Sequence, residues 1–312
     1  MTVIFRFVLS FTLMTPLLSH ADIFGPDDRK DPLQVPSKSH LANSVAVGVL
    51  SSLWTDLGNG FSSLEANRMN EFMCQDERFS EENSIAYACS GFLVAPDLLV
   101  TAGHCAVNFG EIHHVTDQYC EVYTWLFDYN SKMNLRKISN DKIYRCKEII
   151  YATLSEAEEV QDFALIRLDR HTVNRTPFKI ADHPIQMNDS VALLGFPMGL
   201  PLKFADNAKV FSPNHRGRSF LTDLDAFSGN SGGPVLNAKD EVVGLLIAGN
   251  PSNSTYTDPV QRCERYNSCD SNGENCKAFS PHFPLQGFPN TFSEVQSLLF
   301  YRDVILKSMV LK

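Results

Sequence analysis

The sequence predicts an all-β protein, a sandwich or a barrel, and three observations carry that prediction. Between residues 44 and 250 the apolar residues fall in short runs: "SVAVGVL", "SGFLVAPDLLVTAG", "EVYTWLF", "DFALIRL", "SVALLGF" and "EVVGLLIAG". These runs are rich in Val, Ile, Leu and Phe, and their length suits strands better than helices. Gly, Pro, Asn and Asp separate them, and many short strands with turn signals between them are the mark of sandwiches and barrels. The polar, Pro-containing stretch "LDRHTVNRTPFKIADHP" is expected to connect two such β units. Near the end, "TFSEVQSLLFYRDVILKSM" spaces Val295, Leu298, Leu299 and Val304 helically behind Ser293, so a helix with Ser293 as N-cap is expected there. No repeat or low-complexity tract is present.

The 312 residues suffice for two modest domains or one large one. With 44% hydrophobic and 20% charged residues the chain reads as soluble and globular. A net charge of −9 argues against nucleic acid or an anionic membrane as a partner. The first 21 residues, "MTVIFRFVLSFTLMTPLLSHA", place Arg6 before an apolar run and end on Ser19 and Ala21, spaced as in an export cleavage site. Pro16 breaks the run short of the roughly 20 apolar residues that a membrane span needs. A signal peptide over 1–21 is therefore expected, with a secreted or periplasmic product and no membrane association after cleavage. Residues 22–40 would then be an N-terminal arm or a propeptide.

Export accounts for the eight cysteines, an even number that reads as disulfides. No Cys-x-x-Cys pair supports zinc, and the acidic residues lack EF-hand spacing, so neither a metal nor a cofactor is expected. "CERYNSCDSNGENC" reads as a stapled surface loop.

"AFSGNSGGPV" frames Ser231 with small residues. No bulky neighbour shields its hydroxyl, and the adjacent amides can turn toward whatever approaches it. That suits a nucleophile, and it equally suits a tight turn. "CSGFLVAPDLLVTAGHC" supplies a partner: His104 follows a strand and two small residues, so its ring can stand clear of the backbone. Asp162 opens "DFALIRL", with Asp169 as a competitor beyond the apolar run. His104, Asp162 and Ser231 lie 58 and 69 residues apart in that order. In "TAGHC", "DFALIRL" and "GNSGGPV" the chain resembles the chymotrypsin-fold serine proteases, in particular the bacterial secreted branch that includes the glutamyl endopeptidases.

The resemblance implies two antiparallel six-stranded β-barrels, chymotrypsin-like, over residues 41–175 (His104, Asp162) and 176–312 (Ser231, the Cys-rich loop and the C-terminal helix). It implies a serine endopeptidase acting on a protein or peptide substrate. Ser231 would be the nucleophile, His104 the general base and Asp162 the residue that holds its tautomer. The amides of Gly229 and Ser231 would form the oxyanion hole. A Cys89–Cys105 disulfide is implied as well. Cys120–Cys146 is expected from adjacent strands, and the remaining four cysteines have three pairings. Asp225, six residues before Ser231, falls where trypsins carry the carboxylate for Arg or Lys; Ala226, Ile247, Ala248 and Gly249 would complete the substrate site. Ala226 and Leu246 stand where glutamyl endopeptidases carry polar groups, which argues against cleavage after Glu. Asn230 lacks the charge that a freshly cut N-terminus would pair with. "GFPMGLPLKFADNAKV" resembles a segment common in these bacterial enzymes and is expected to shape a turn without chemistry. The rival reading is a catalytically silent or single-partner binding module on the same fold; the three intact positions count against it.

Overall fold

The computed structural model describes residues 22–106, 119–155, 159–249, 255–273, 275–277 and 291–310. The expected signal segment lies outside them. Twelve strands build two closed barrels. The first comprises β1 (Val45–Leu50), β2 (Cys89–Ala95), β3 (Leu98–Thr101), β4 (Tyr123–Phe127), β5 (Ile143–Ser155) and β6 (Gln161–Leu168). The second comprises β7 (Ser190–Gly195), β8 (Lys203–His215), β9 (Ser219–Thr222), β10 (Pro234–Leu236), β11 (Val242–Gly249) and β12 (Ser293–Ser297). Each barrel closes in the same order, first, second, third, sixth, fifth and fourth strand, with every neighbour antiparallel. Leu168 and Ser190 bound the connection between them, and no named strand lies within it.

The barrels explain why the apolar runs are nearly continuous and not alternating. Successive residues of a strand point to opposite faces, and here both faces are buried. On β2, Phe92 and Val94 enter the apolar seam between the barrels, while Leu93 faces the interior of the first. Phe163 and Leu165 on β6 divide from Ala164 and Ile166 in the same way. Trp125 and Phe127 fill the first barrel, and Val210, Phe220, Val235 and Val295 fill the second.

The C-terminal expectation needs a correction. Residues 293–297 form barrel strand β12, and the α-helix spans only Arg302–Val310, entered through a 3₁₀ turn at Leu298–Tyr301. Ser293 is therefore a strand residue and not an N-cap. Strand pairing with β9 and β11 wins because Glu294 and Gln296, polar and fully buried, find partners there: Glu294 accepts from Arg216 and Ser219, and Gln296 donates to the carbonyl of Arg218. The helix packs through Ile305 onto the seam, beside the stacked rings of Phe163 and Tyr301.

All eight cysteines are paired: Cys74–Cys263, Cys89–Cys105, Cys120–Cys146 and Cys269–Cys276. Cys120 sits on a single helical turn before β4, next to β5, which carries Cys146. Residues 22–31 run along the second barrel. Ile23 and Phe24 pair in parallel with Ser268 and Cys269, and Lys30 and Phe204 exchange two backbone hydrogen bonds of 2.8 Å.

Candidate active site

His104 lies on the 3₁₀ turn Gly103–Cys105 that follows β3, and the Cys89–Cys105 bridge ties this turn to the start of β2. A Cβ on Gly103 would stand 2.0 Å from the carbonyl oxygen of Thr153, so only glycine lets the turn press against β5 and β6. That proximity delivers Asp162, the second residue of β6. Its Oδ1 accepts from the backbone N–H of His104 at 2.9 Å, and its Oδ2 lies 2.7 Å from Nδ1. The contact assigns the ring proton to Nδ1 and leaves Nε2 as the basic nitrogen. Asp162 is 7% exposed, and its own N–H donates to Gln296 Oε1 at 3.0 Å. Asp169, at the far end of β6, pairs with Arg170.

Ser231 comes to this turn from the second barrel. Its carbonyl accepts from the N–H of Ser90 at 2.7 Å and lies 3.9 Å from the sulfur of Cys105, the residue after His104. The fold thus places the Ser231 loop against the His104 turn across the seam.

Two peptide planes before Ser231 are fixed by their carbonyls. Ser228 C=O accepts from Met198 N–H at 2.5 Å, and Asn230 C=O accepts from Gly233 N–H at 2.8 Å. In a trans peptide the N–H points opposite to its carbonyl, so the N–H groups of Gly229 and Ser231 are turned away from these partners. Neither donates to a group of the described residues. Gly229 has φ +96°, and a Cβ there would lie 2.4 Å from the carbonyl oxygen of Phe196. Ser90 Oγ, fully buried, donates to the Gly229 carbonyl at 2.7 Å and accepts from Phe196 N–H at 3.2 Å. "GFPMG" therefore braces the loop: Phe196 crowds Gly229, and Met198, itself at φ +53°, holds Ser228. The sequence assigns this segment only a turn and gives Ser90 no role, although both lie inside quoted stretches. Gln296 was hidden inside the expected helix.

The expected substrate residues are dispersed. Ala226 and Leu246 pack inside the second barrel, and Ile247 in the seam. Ala248 and Gly249 are half-buried at the end of β11, past Leu245, where pairing with β10 stops. Asp225 is 4% exposed; its Oδ1 accepts from Phe24 N–H at 2.8 Å and its Oδ2 from Asp28 N–H at 3.0 Å. Burial, then the adjacent Asp28 carboxyl, pushes Asp225 well above the usual carboxylate range. An open cavity of about 970 Å³ on the first barrel is lined by Trp54, Glu121, Asp169 and Arg170, and His104, Asp162 and Ser231 do not border it.

A family model described as a trypsin-like peptidase domain matches residues 89–245, just over half of the chain. Among solved structures, a Glu endopeptidase in complex with MPD is similar at TM-score 0.51 and 14% identity, covering 93% of this chain and 100% of that one. The inactive form of the Rv3671c protease matches at TM-score 0.39 and 16% identity, covering 72% of this chain and 85% of that one.

Proposed function

The chain belongs to the family of trypsin-like peptidases, and from that premise we propose that Ser231, His104 and Asp162 form the catalytic triad of a secreted serine endopeptidase. The observation that carries this reading is the grip of Asp162 on His104, one carboxylate oxygen on the backbone N–H and the other on Nδ1. It fixes ring position and tautomer together, which a general base needs and a structural histidine does not.

In the first step Ser231 Oγ bonds to the substrate carbonyl carbon as its proton passes to His104 Nε2. Asp162 stabilises the imidazolium that forms. The carbonyl oxygen becomes an oxyanion facing the N–H groups of Gly229 and Ser231, worth roughly 3 to 4 kcal/mol per donor. Collapse breaks the C–N bond, and the leaving amine takes the proton from His104, leaving an acyl-enzyme. Water then attacks, with His104 as base, and releases the acid and Ser231. Residues 247–249 run beyond the end of β10, where an extended substrate could add its backbone to the sheet. The four disulfides suit an oxidising compartment and support export.

The test pairs a fluorophosphonate serine reagent with digestion of a mixed peptide library. Wild-type protein should be labelled at Ser231 and cut peptides, whereas Ser231→Ala should do neither while keeping its circular dichroism and melting temperature. Cleavage surviving in Ser231→Ala would remove the nucleophile assignment.

A further inference from the structure

By resemblance Asp225, six residues before Ser231, stands where trypsins carry the carboxylate for a basic side chain, but its oxygens already have partners. Phe24 N–H and Asp28 N–H donate to its two oxygens, and both belong to the N-terminal arm. These contacts sit in the middle of a firmly held stretch. Before them, Asp22 is buried and accepts from Asn267 and Thr291, and between them Gly25 N–H donates to the Cys269 carbonyl. After them, Arg29 is 1% exposed, its guanidinium 4.5 Å above the Phe227 ring and 4.2 Å above that of Tyr266, and it pairs with Asp27. Phe227 is two residues from Asp225 and four from Ser231, so the arm reaches into the loop that carries the nucleophile.

Resting on the protease reading above, we propose that Asp225 is the anchor of the N-terminal arm and not a receptor for Arg or Lys. The arm closes the base of the specificity site, and the enzyme cuts after uncharged, apolar residues. A guanidinium entering to meet Asp225 would compete with two backbone N–H groups for its oxygens inside a buried site, and buried donors left unpaired are costly. It would also have to displace an arm fixed on both sides. An acidic side chain fares no better, since Asp28 lies against Asp225 and Ala226 and Leu246 offer no donor from their side chains. Of the residues expected around the site, Ala226, Phe227 and Ile247 are buried apolar side chains and Ala248 and Gly249 are half-buried, so none supplies a charge. An uncharged, apolar substrate side chain is the one that leaves no buried charge unpaired beside these residues.

The experiment has two readouts on the full chain. Fluorogenic peptides differing only in the residue whose carbonyl is attacked (Ala, Val, Leu, Phe, Glu, Arg, Lys) should give kcat/KM for Arg and Lys at least 100-fold below the best apolar residue. Amide hydrogen exchange should show Phe24 and Asp28 protected in wild type and exchanging at least tenfold faster in Asp225→Asn. Asp28→Asn, which keeps the backbone donor, should leave both amides protected and serves if Asp225→Asn does not fold. Preference for Arg or Lys that Asp225→Asn abolishes would overturn the proposal, as would unprotected amides in wild type. If peptides turn over too slowly, aryl phosphonates carrying Arg or Leu rank the same preference through labelling of Ser231. Failure of Ser231 to take any such reagent sinks the protease reading and the specificity claim with it. Exchange at Phe24 and Asp28 still decides whether Asp225 anchors the arm.

Discussion

Both oxygens of Asp162 are committed to His104, one to its backbone N–H and one to Nδ1, so Asp162→Asn should do more than remove a charge. The amide can present an N–H toward Nδ1, which favours the wrong tautomer and takes the proton to Nε2. Loss of about 10⁴-fold in kcat with little change in KM is expected, read by stopped-flow acylation. Asp28 supports a pH prediction. Burial, then the charge of Asp206, pushes its pKa up to about 6, while Asp225, Lys30 and Asn207 act in the opposite direction. Asp27, the neighbouring acid, is committed to Arg29 and Arg78. A carboxyl whose folded pKa is raised binds its proton more tightly in the folded state. Its contribution to stability is therefore full below the unfolded value near 4 and is lost as pH rises through about 6. The protection factors of Phe24 and Asp28, taken relative to intrinsic base-catalysed exchange, should fall across that window in wild type and change less with pH in Asp28→Asn.

At the level of elements, the Ser231 loop owes its shape to neighbours from both barrels. Ser90 on β2 bonds to Gly229 and Ser231, and the turn at 196–199 holds Ser228. Gly229→Ala would drive a methyl to 2.4 Å from the Phe196 carbonyl at a φ of +96°. The loop must shift to relieve this, so the two N–H donors lose their aim and kcat should fall by at least about 100-fold, with KM less affected. Ser90→Ala removes a buried hydroxyl and leaves Gly229 C=O and Phe196 N–H without that partner. Destabilisation of about 1–3 kcal/mol is expected, measured by urea unfolding.

Across the whole molecule, the two barrels are held by an apolar seam and by one long covalent tie. Cys74–Cys263 joins the β1–β2 connection to the Cys-rich loop across a separation of 189 residues, whereas Cys269–Cys276 closes one of 7. Chain-entropy reasoning gives about 5 kcal/mol for the first and about 2 kcal/mol for the second. The Cys74→Ala/Cys263→Ala variant should therefore melt lower than Cys269→Ala/Cys276→Ala in calorimetry, and equal melting temperatures would remove long-range closure as the cause. Arg29 performs a related task without a covalent bond, since its buried guanidinium joins the arm to Phe227 and Tyr266.

By itself the sequence determined the strand content, the order of the three motifs and the presence of bridges. Runs such as "DFALIRL" are too short and too rich in branched residues to be buried helices, and a glycine-framed serine with a histidine and an aspartate in order is the pattern that the family carries. What only the tertiary structure decided depends on partners distant along the chain. "TFSEVQSLL" carries an apolar spacing that suits a helix, and it becomes β12 because Arg216, Ser219 and Arg218 are positioned to satisfy Glu294 and Gln296. "GFPMG" reads as a turn until folding sets Met198 N–H against Ser228. The surroundings of Asp225 lie almost 200 residues upstream, in Phe24 and Asp28. Local pattern records which residues want burial. The acceptor that each buried donor meets is settled only when the chain closes on itself.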